Sequence, residues 1–250
     1  PSHNGLLDNA AIDRTLIRCH AELQRLSLEF RTGAQICRLL RPMLELLRQS
    51  RSGPIRVVDI GCGIGYAIRW LAAYGNLGSD VELVGCDYNK ALVSVASRLA
   101  LEENLPCRFR SANALTLDQP ADVFLSSGVL HHFRGETLGD FLLAQETACM
   151  LHVDVKASWA APIGAWVFHI ARMREPLSRH DGVLSAVRAH SAETLLRVAR
   201  QPGSLLRYAL FDGVVELFPI LRTLNVLVGL PADMCQPYQA AVGPRLGSFA

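Results

Sequence analysis

Three places in the sequence combine residue types that could do chemistry, and each follows a run of apolar residues. The first is Val57-Val58-Asp59-Ile60-Gly61-Cys62-Gly63-Ile64-Gly65. Glycines at 61, 63 and 65 let backbone N–H groups approach a ligand closely, because no Cβ stands in the way. A helix starting near Tyr66 adds its positive N-terminal end, which suits a nucleotide-like or carboxylate-bearing ligand. The second place is Asp87, at the end of the apolar run from Val81 to Cys86. A carboxylate there can accept hydrogen bonds from both hydroxyls of a ribose, with Tyr88 beside it able to pack on a base; alternatively Asp87 caps the helix that follows. The third is Asp122-Val123-Phe124-Leu125-Ser126-Ser127-Gly128-Val129-Leu130-His131-His132-Phe133. A histidine, with an ordinary pKa of about 6.5, could deprotonate a phenol or enol, or could simply orient this loop. Adjacent helical residues point about 100° apart, so one of the two faces a pocket, and His131 ranks before His132.

The glycine spacing decides between ligands. A dinucleotide fingerprint, G-x-G-x-x-G, would need its third glycine at position 66, where a tyrosine stands. No lysine follows the loop, so the phosphate-cradling pattern is missing too. The run from Asp59 to Gly65, D-x-G-x-G-x-G, resembles motif I of the class I S-adenosylmethionine-dependent methyltransferases. The D-x-x-x-x-S-x-x-L-H-H-F run from Asp122 is similar to motif IV of the small-molecule members.

That resemblance, specific over residues 55–133, implies S-adenosylmethionine as cofactor. It implies contacts from Asp59, Gly61, Cys62, Gly63 and Gly65, with Asp87 at the ribose and Tyr88 at the adenine. Ala112, Asn113 and Ala114 fall where the family commonly carries an acid for the adenine amino group. Asn113 could accept the same hydrogen bond through its amide oxygen, or could be a plain turn residue. Ser126 and Ser127 fall where the backbone passes the cofactor's aminoacyl and methyl region. The D/N-P-P-Y motif for nitrogen methylation of bases and amides does not occur. Arg179-His180-Asp181-Gly182, with Arg188-Ala189-His190-Ser191 downstream, looks like a bacterial methyltransferase group associated with aromatic polyketide pathways. The implied reaction is O-methylation of a small phenolic or quinone-like metabolite of secondary metabolism. His180 is a further candidate base, in a polar turn that Asp181 could close as a helix cap. Trp159, Trp166 and Phe168 either line a substrate pocket or pack in the core. Two other readings stay open: a non-catalytic domain that binds S-adenosylmethionine, and a nicotinamide-dependent oxidoreductase.

Composition narrows the partners. A net charge of +2 over 250 residues is too mild to argue for nucleic acid. Half the residues are hydrophobic and 19% are charged, which excludes general disorder. Seven cysteines form no C-x-x-C pair, which fits reduced thiols in a cytoplasmic protein and disfavours metal. Residues 157–171 lack charge but are too short to span a bilayer, and 214–230 are broken by polar residues and proline. A monomer or homodimer acting on a small aromatic or apolar substrate is expected.

The elements that must position these groups follow from hydrophobic periodicity. Residues 8–50 read as two helices divided near Gly33, so residues 1–52 are expected to form a helical cap over a unit spanning 53–250. Strands are expected at 55–60, 81–86, 106–110, 121–126 and 150–155, with helices at 65–75, 89–103 and 136–148 between them. A helical stretch to about 173, a helix around 182–200, and strands at 205–211 and 214–228 follow. The alternation predicts an α/β fold: a Rossmann-like, seven-stranded, mostly parallel sheet with an antiparallel edge hairpin and helices on both faces. The tail 231–250 reads as loose or draped on the surface.

Overall fold

The computed structural model describes residues 8–117, 120–201, 203–212, 224–243 and 246–249. The chain opens with α1 (Asn9–Glu29) and α2 (Thr32–Ser50). Asp8 caps α1, its Oδ1 accepting the Ala11 N–H at 3.1 Å. The break between the two helices falls at Arg31, which takes a left-handed φ of 51°, and not at Gly33. Gly33 sits inside α2 because a Cβ there would lie 2.4 Å from the Trp70 ring.

Beyond them the elements alternate: β1 (Ile55–Ile60), α3 (Tyr66–Tyr74), β2 (Val81–Asp87), α4 (Lys90–Glu102), β3 (Cys107–Ser111) and β4 (Val123–Ser127). A 3-10 turn, Leu130–His132, leads into α5 (Glu136–Leu143) and β5 (Cys149–Val155). Next come α6 (Ala161–Arg172), α7 (Pro176–Arg188), α8 (Ala192–Ala199), β6 (Arg207–Asp212), β7 (Leu224–Leu230) and α9 (Ala232–Val242). The strands form one sheet in the order β3-β2-β1-β4-β5-β7-β6. β3 to β5 run parallel with β1, while β7 is antiparallel to both β5 and β6. The predicted fold class is therefore the observed one. Much of the strand expected at 214–228 lies outside the described residues; the described β7 starts at Leu224.

Both sheet faces are buried, which is why the strands read as apolar runs. Ile55 and Val57 of β1 point to one face with α2, α3 and α9; Val58 and Ile60 point to the other with α5 and α8. From α2, Ile36, Leu39, Leu40, Met43 and Leu44 are buried in the first of these layers. The tail corrects its expectation: α9 is packed, with Met234, Cys235 and Tyr238 buried and the Tyr238 hydroxyl donating to the Leu39 carbonyl at 2.9 Å. Residues 177–182 also differ from their reading as a polar turn. They lie within α7, which starts at Pro176, so Asp181 caps nothing, and the expected helix at 182–200 is two helices.

Candidate functional site

Strand order reverses between β1 and β4, and in such sheets the crevice at the strands' carboxyl ends is where ligands bind. The turn after β1 forms one wall. Gly63 and Gly65 have φ of 55° and 79°, a region L side chains rarely enter. A Cβ on Gly65 would meet the Phe109 ring at 2.5 Å, so this glycine admits β3's aromatic against the turn. A Cβ on Gly63 would lie 2.4 Å from the imidazole of His20, which α1 lays over the turn. At Gly61 the neighbour is Val129, 2.7 Å from a Cβ there, which brings the loop after β4 against the same turn.

Two carboxylates stand at the strand ends. Asp87 accepts the Gly63 N–H through Oδ2 and the Asn89 N–H through Oδ1, both at 2.8 Å. The cap of α4 is Asn89, whose Oδ1 takes the N–H groups of Ala91 and Leu92, so Asp87 is not a cap. Asp59 is 2% exposed, and its Oδ1 has no hydrogen-bond partner. Burial, with the nearby Asp87 charge adding to it, pushes its carboxyl well above the usual range. The Cys62 thiol is pushed up in the same way, chiefly by burial and then by the charges of Asp59 and Asp87.

The remaining candidates are placed as follows. Tyr88 is 80% exposed. Ala112 donates its N–H to the Asp87 carbonyl at 3.0 Å, and Ala114 is partly buried. Asn113 is exposed, and its Oδ1 accepts the Leu115 N–H at 3.0 Å, the arrangement of an Asx turn. Ser126 is buried, its hydroxyl 2.9 Å from Nδ1 of His152, while Ser127 at the end of β4 is partly exposed. His180 lies on the exposed side of α7. Trp159 and Trp166 turn outward, and Phe168 stacks on Phe30 of α1 at 5.8 Å.

A third carboxylate, Asp154 of β5, faces the loop after β4. Asp154 accepts the His131 backbone N–H at 2.9 Å through Oδ2 and meets His131 Nδ1 at 2.8 Å through Oδ1. Both side chains are buried. A carboxylate can only accept, so Nδ1 carries hydrogen and the neutral ring keeps its lone pair on Nε2. The His132 ring lies 4.2 Å from that of His131, and its pKa is lowered, first by desolvation and then by the His131 charge. His20 escaped the sequence reading, and Asp181 was read only as a helix cap. Burial lowers the His20 pKa, against the opposing pull of Asp87 and Asp181. Asp181 lies near enough for its charge to act on both His20 and His132, so α1 and α7 meet over the glycine turn and the histidine loop. An acid in an otherwise apolar strand was the one signal that could have pointed to Asp154.

Comparison with known proteins agrees with this geometry. Residues 57–148 match the family model described as a methyltransferase domain. Residues 57–148 thus carry a methyltransferase domain. Over 93 residues it is 34% identical to a probable tRNA methyltransferase 9B of Bos taurus, a match covering 36% of this chain and 17% of that protein. The mouse counterpart is 36% identical over the same length. The chain thus spans about a sixth of the length of these relatives (17%). Among solved structures, the plantazolicin methyltransferase BpumL in complex with SAH superposes with a TM-score of 0.62 at 13% identity, covering 88% of this chain and 95% of that one. At that identity the methyltransferase domain shares a fold with BpumL. S-adenosylmethionine is the cofactor of such a domain, and the residues present fit it: the Asp59 Oδ1 is a buried acceptor with no protein donor, below a turn of positive-φ glycines.

Proposed function

We propose that the chain transfers a methyl group from S-adenosylmethionine to an oxygen of a small aromatic, phenolic or quinone-like metabolite. The observation that carries this reading is the buried His131–Asp154 pair, set on the loop whose Val129 packs against the glycine turn. When bound, the cofactor supplies a methyl carbon activated by its sulfonium. The chain's own residues then hold, align and move one proton. Asp87 would hold the ribose hydroxyls, since a carboxylate accepting two backbone N–H groups still has lone pairs to offer. Asp59 and the N–H groups around Gly61, Cys62, Gly63 and Gly65 would hold the aminoacyl end. Tyr88, Ala112, Asn113 and Ala114 would frame the adenine, and Ser126 and Ser127 the passage toward the methyl. His131 would take the proton of the acceptor hydroxyl at Nε2, and Asp154 stabilises the imidazolium that results. His132 and His180 stand as alternative bases. From the first 52 residues, α1 covers the turn with His20 and helps exclude water. A role in secondary metabolism in the cytoplasm completes this reading.

The experiment is a calorimetric titration with S-adenosylhomocysteine and with NAD, followed by a tritiated-methyl assay on a panel of phenols. Binding of S-adenosylhomocysteine with methylated phenol supports the proposal. Binding without transfer to any acceptor supports a non-catalytic module, and NAD binding alone refutes both.

A further inference from the structure

The Arg188-Ala189-His190-Ser191 run takes no part in the chemistry assigned to His131, yet the structure sets it against the same loop. His190 lies just past α7, with its Nε2 at 2.8 Å from the Phe133 carbonyl and 3.2 Å from that of Leu130. Carbonyls only accept, so Nε2 carries hydrogen and donates to both. The two carbonyls flank the turn that carries His131 and His132. The last turn of α7 is thereby tied beside the candidate base.

Arg188 stands in that last turn, and its charge acts on His132. Seven residues earlier, Asp181 acts on His132 and also on His20, which covers the glycine turn. Positions seven apart share a helix face and lie about 10 Å apart along its axis. α7 therefore lays a carboxylate toward the cofactor end of the crevice and a guanidinium two turns further on. His132, which feels both, is solvent-exposed, so these charges border an opening and not a packed seam.

Neither charge has a partner of its own. Arg56 and Arg69, also shielded from solvent, hold the carboxylates of Glu82 and Glu103. Arg188 is half-buried as well, but among the described residues no carboxylate pairs with it. A guanidinium drawn part-way out of water favours an anion, and its fork of donors matches a carboxylate. One guanidinium beside the negative C-terminal end of α7 suits a single charge and not a phosphate dianion. Asp181 repels an anion from the cofactor end, which sets the direction in which such a ligand lies.

We propose that Arg188 binds a carboxylate on the methyl acceptor, so that the substrate is a hydroxyaryl carboxylic acid with its phenol oxygen at His131. This rests on the phenol reading above. The phenol oxygen loses its proton to Nε2 of His131 and gains the methyl, leaving the cofactor as S-adenosylhomocysteine. The carboxylate is unchanged and serves for grip and orientation.

Methyl transfer to a panel of hydroxybenzoic and hydroxynaphthoic acids, each set beside its neutral methyl ester, tests this. The parent should prefer acid over ester by about 10- to 100-fold in kcat/KM, the worth of hydrogen bonds to a charged group. Arg188→Met should bring that ratio close to one. Arg188→Lys should fall between, because an ammonium keeps the charge and loses the fork. Both variants should keep the parent's melting temperature and S-adenosylhomocysteine binding. Calorimetry of the acids on the S-adenosylhomocysteine-bound chain should give the same ranking without turnover. A parent that methylates esters as well as acids, or an Arg188→Met variant that keeps the preference, overturns the proposal and leaves the phenol reading standing. A methyl ester as product, lost in mild alkali, also overturns it by placing the carboxylate at the reacting methyl. Acids that bind through Arg188 but form no ether support the site and refute the phenol reading. Absence of both binding and transfer refutes both.

Discussion

Asp154→Asn separates the structural and chemical roles of the His131 pair. The carboxylate serves three donors: the His131 backbone N–H at 2.9 Å, His131 Nδ1 at 2.8 Å and the Val155 N–H at 2.6 Å. An asparagine has one acceptor oxygen. If that oxygen stays with Nδ1 and Val155, the amide NH₂ faces the His131 backbone N–H, and a buried donor is left unpaired. If it flips, the NH₂ faces Nδ1, and the ring must move its hydrogen to Nε2. An unsatisfied buried donor costs about 1–3 kcal/mol, so the melting temperature should fall by roughly 3–10 °C for a chain of this size. In either arrangement Nε2 loses a fixed lone pair or its supporting charge. Methyl transfer to a phenol should therefore slow by about 10²–10⁴, the usual worth of a positioned base. Binding of S-adenosylhomocysteine should stay within a few-fold of the parent. The assay is kcat against pH for parent and variant, with calorimetry for the cofactor product. A variant that loses the expected stability but keeps its kcat and pH profile refutes the base assignment and leaves the pair as a loop anchor.

Other residues give further outcomes. Asp87→Ala should weaken S-adenosylhomocysteine binding by about 1.5–3 kcal/mol in calorimetry, the value of hydrogen bonds to a charged group; unchanged affinity removes Asp87 from the ribose. Asp59→Asn should raise the melting temperature of the ligand-free protein, because it removes a buried carboxyl whose charge is disfavoured, and should weaken S-adenosylhomocysteine binding; a lower melting temperature counts against the absence of a partner for Oδ1. His152 is pushed down to about 3, chiefly by burial. Between the ordinary histidine value of about 6.5 and that folded value, the unfolded chain binds the extra proton. Stability should thus fall by up to about 1.4 kcal/mol for each pH unit below 6.5, with Asp59 acting in the opposite sense. Denaturant melts at pH 7 and pH 5 check this, and a slope that His152→Asn leaves unaltered would assign it to other groups.

The glycine turn and the acid one strand later were legible because their meaning is local: backbone freedom, a strand end and a helix start. The parallel core was legible for the same reason, as runs such as Val81 to Cys86 have to be covered on both sides. What the sequence withheld depends on partners distant in the chain. Asp154 acquires its role only because β5 lies beside β4, which sets it against a histidine 23 residues earlier. His20 reaches Gly63 through the packing of α1, and no motif marks it. The sequence showed 157–171 as an uncharged apolar stretch whose tryptophans would line a pocket or the core, but Trp166 faces outward because α1 and α7 take up the other side of α6, a choice made in three dimensions. The tail was misread because Pro237 and scattered polar residues hide a helix that is held by what Tyr238 and its neighbours bury.

The hydrogen bond from Tyr238 to the Leu39 carbonyl joins residues 199 apart, and it bears on how the chain is made. At about 5–20 residues per second, the ribosome needs roughly 10–40 s after Leu39 to reach its partner. Throughout that interval the buried side of α2, with Ile36, Leu40 and Met43, lacks the helix that finally packs on it. A nascent chain of this protein therefore carries sticky surface on α2 until α9 has been made, and a transcript cut short before α9 yields a substrate for chaperones and proteases rather than a smaller working domain.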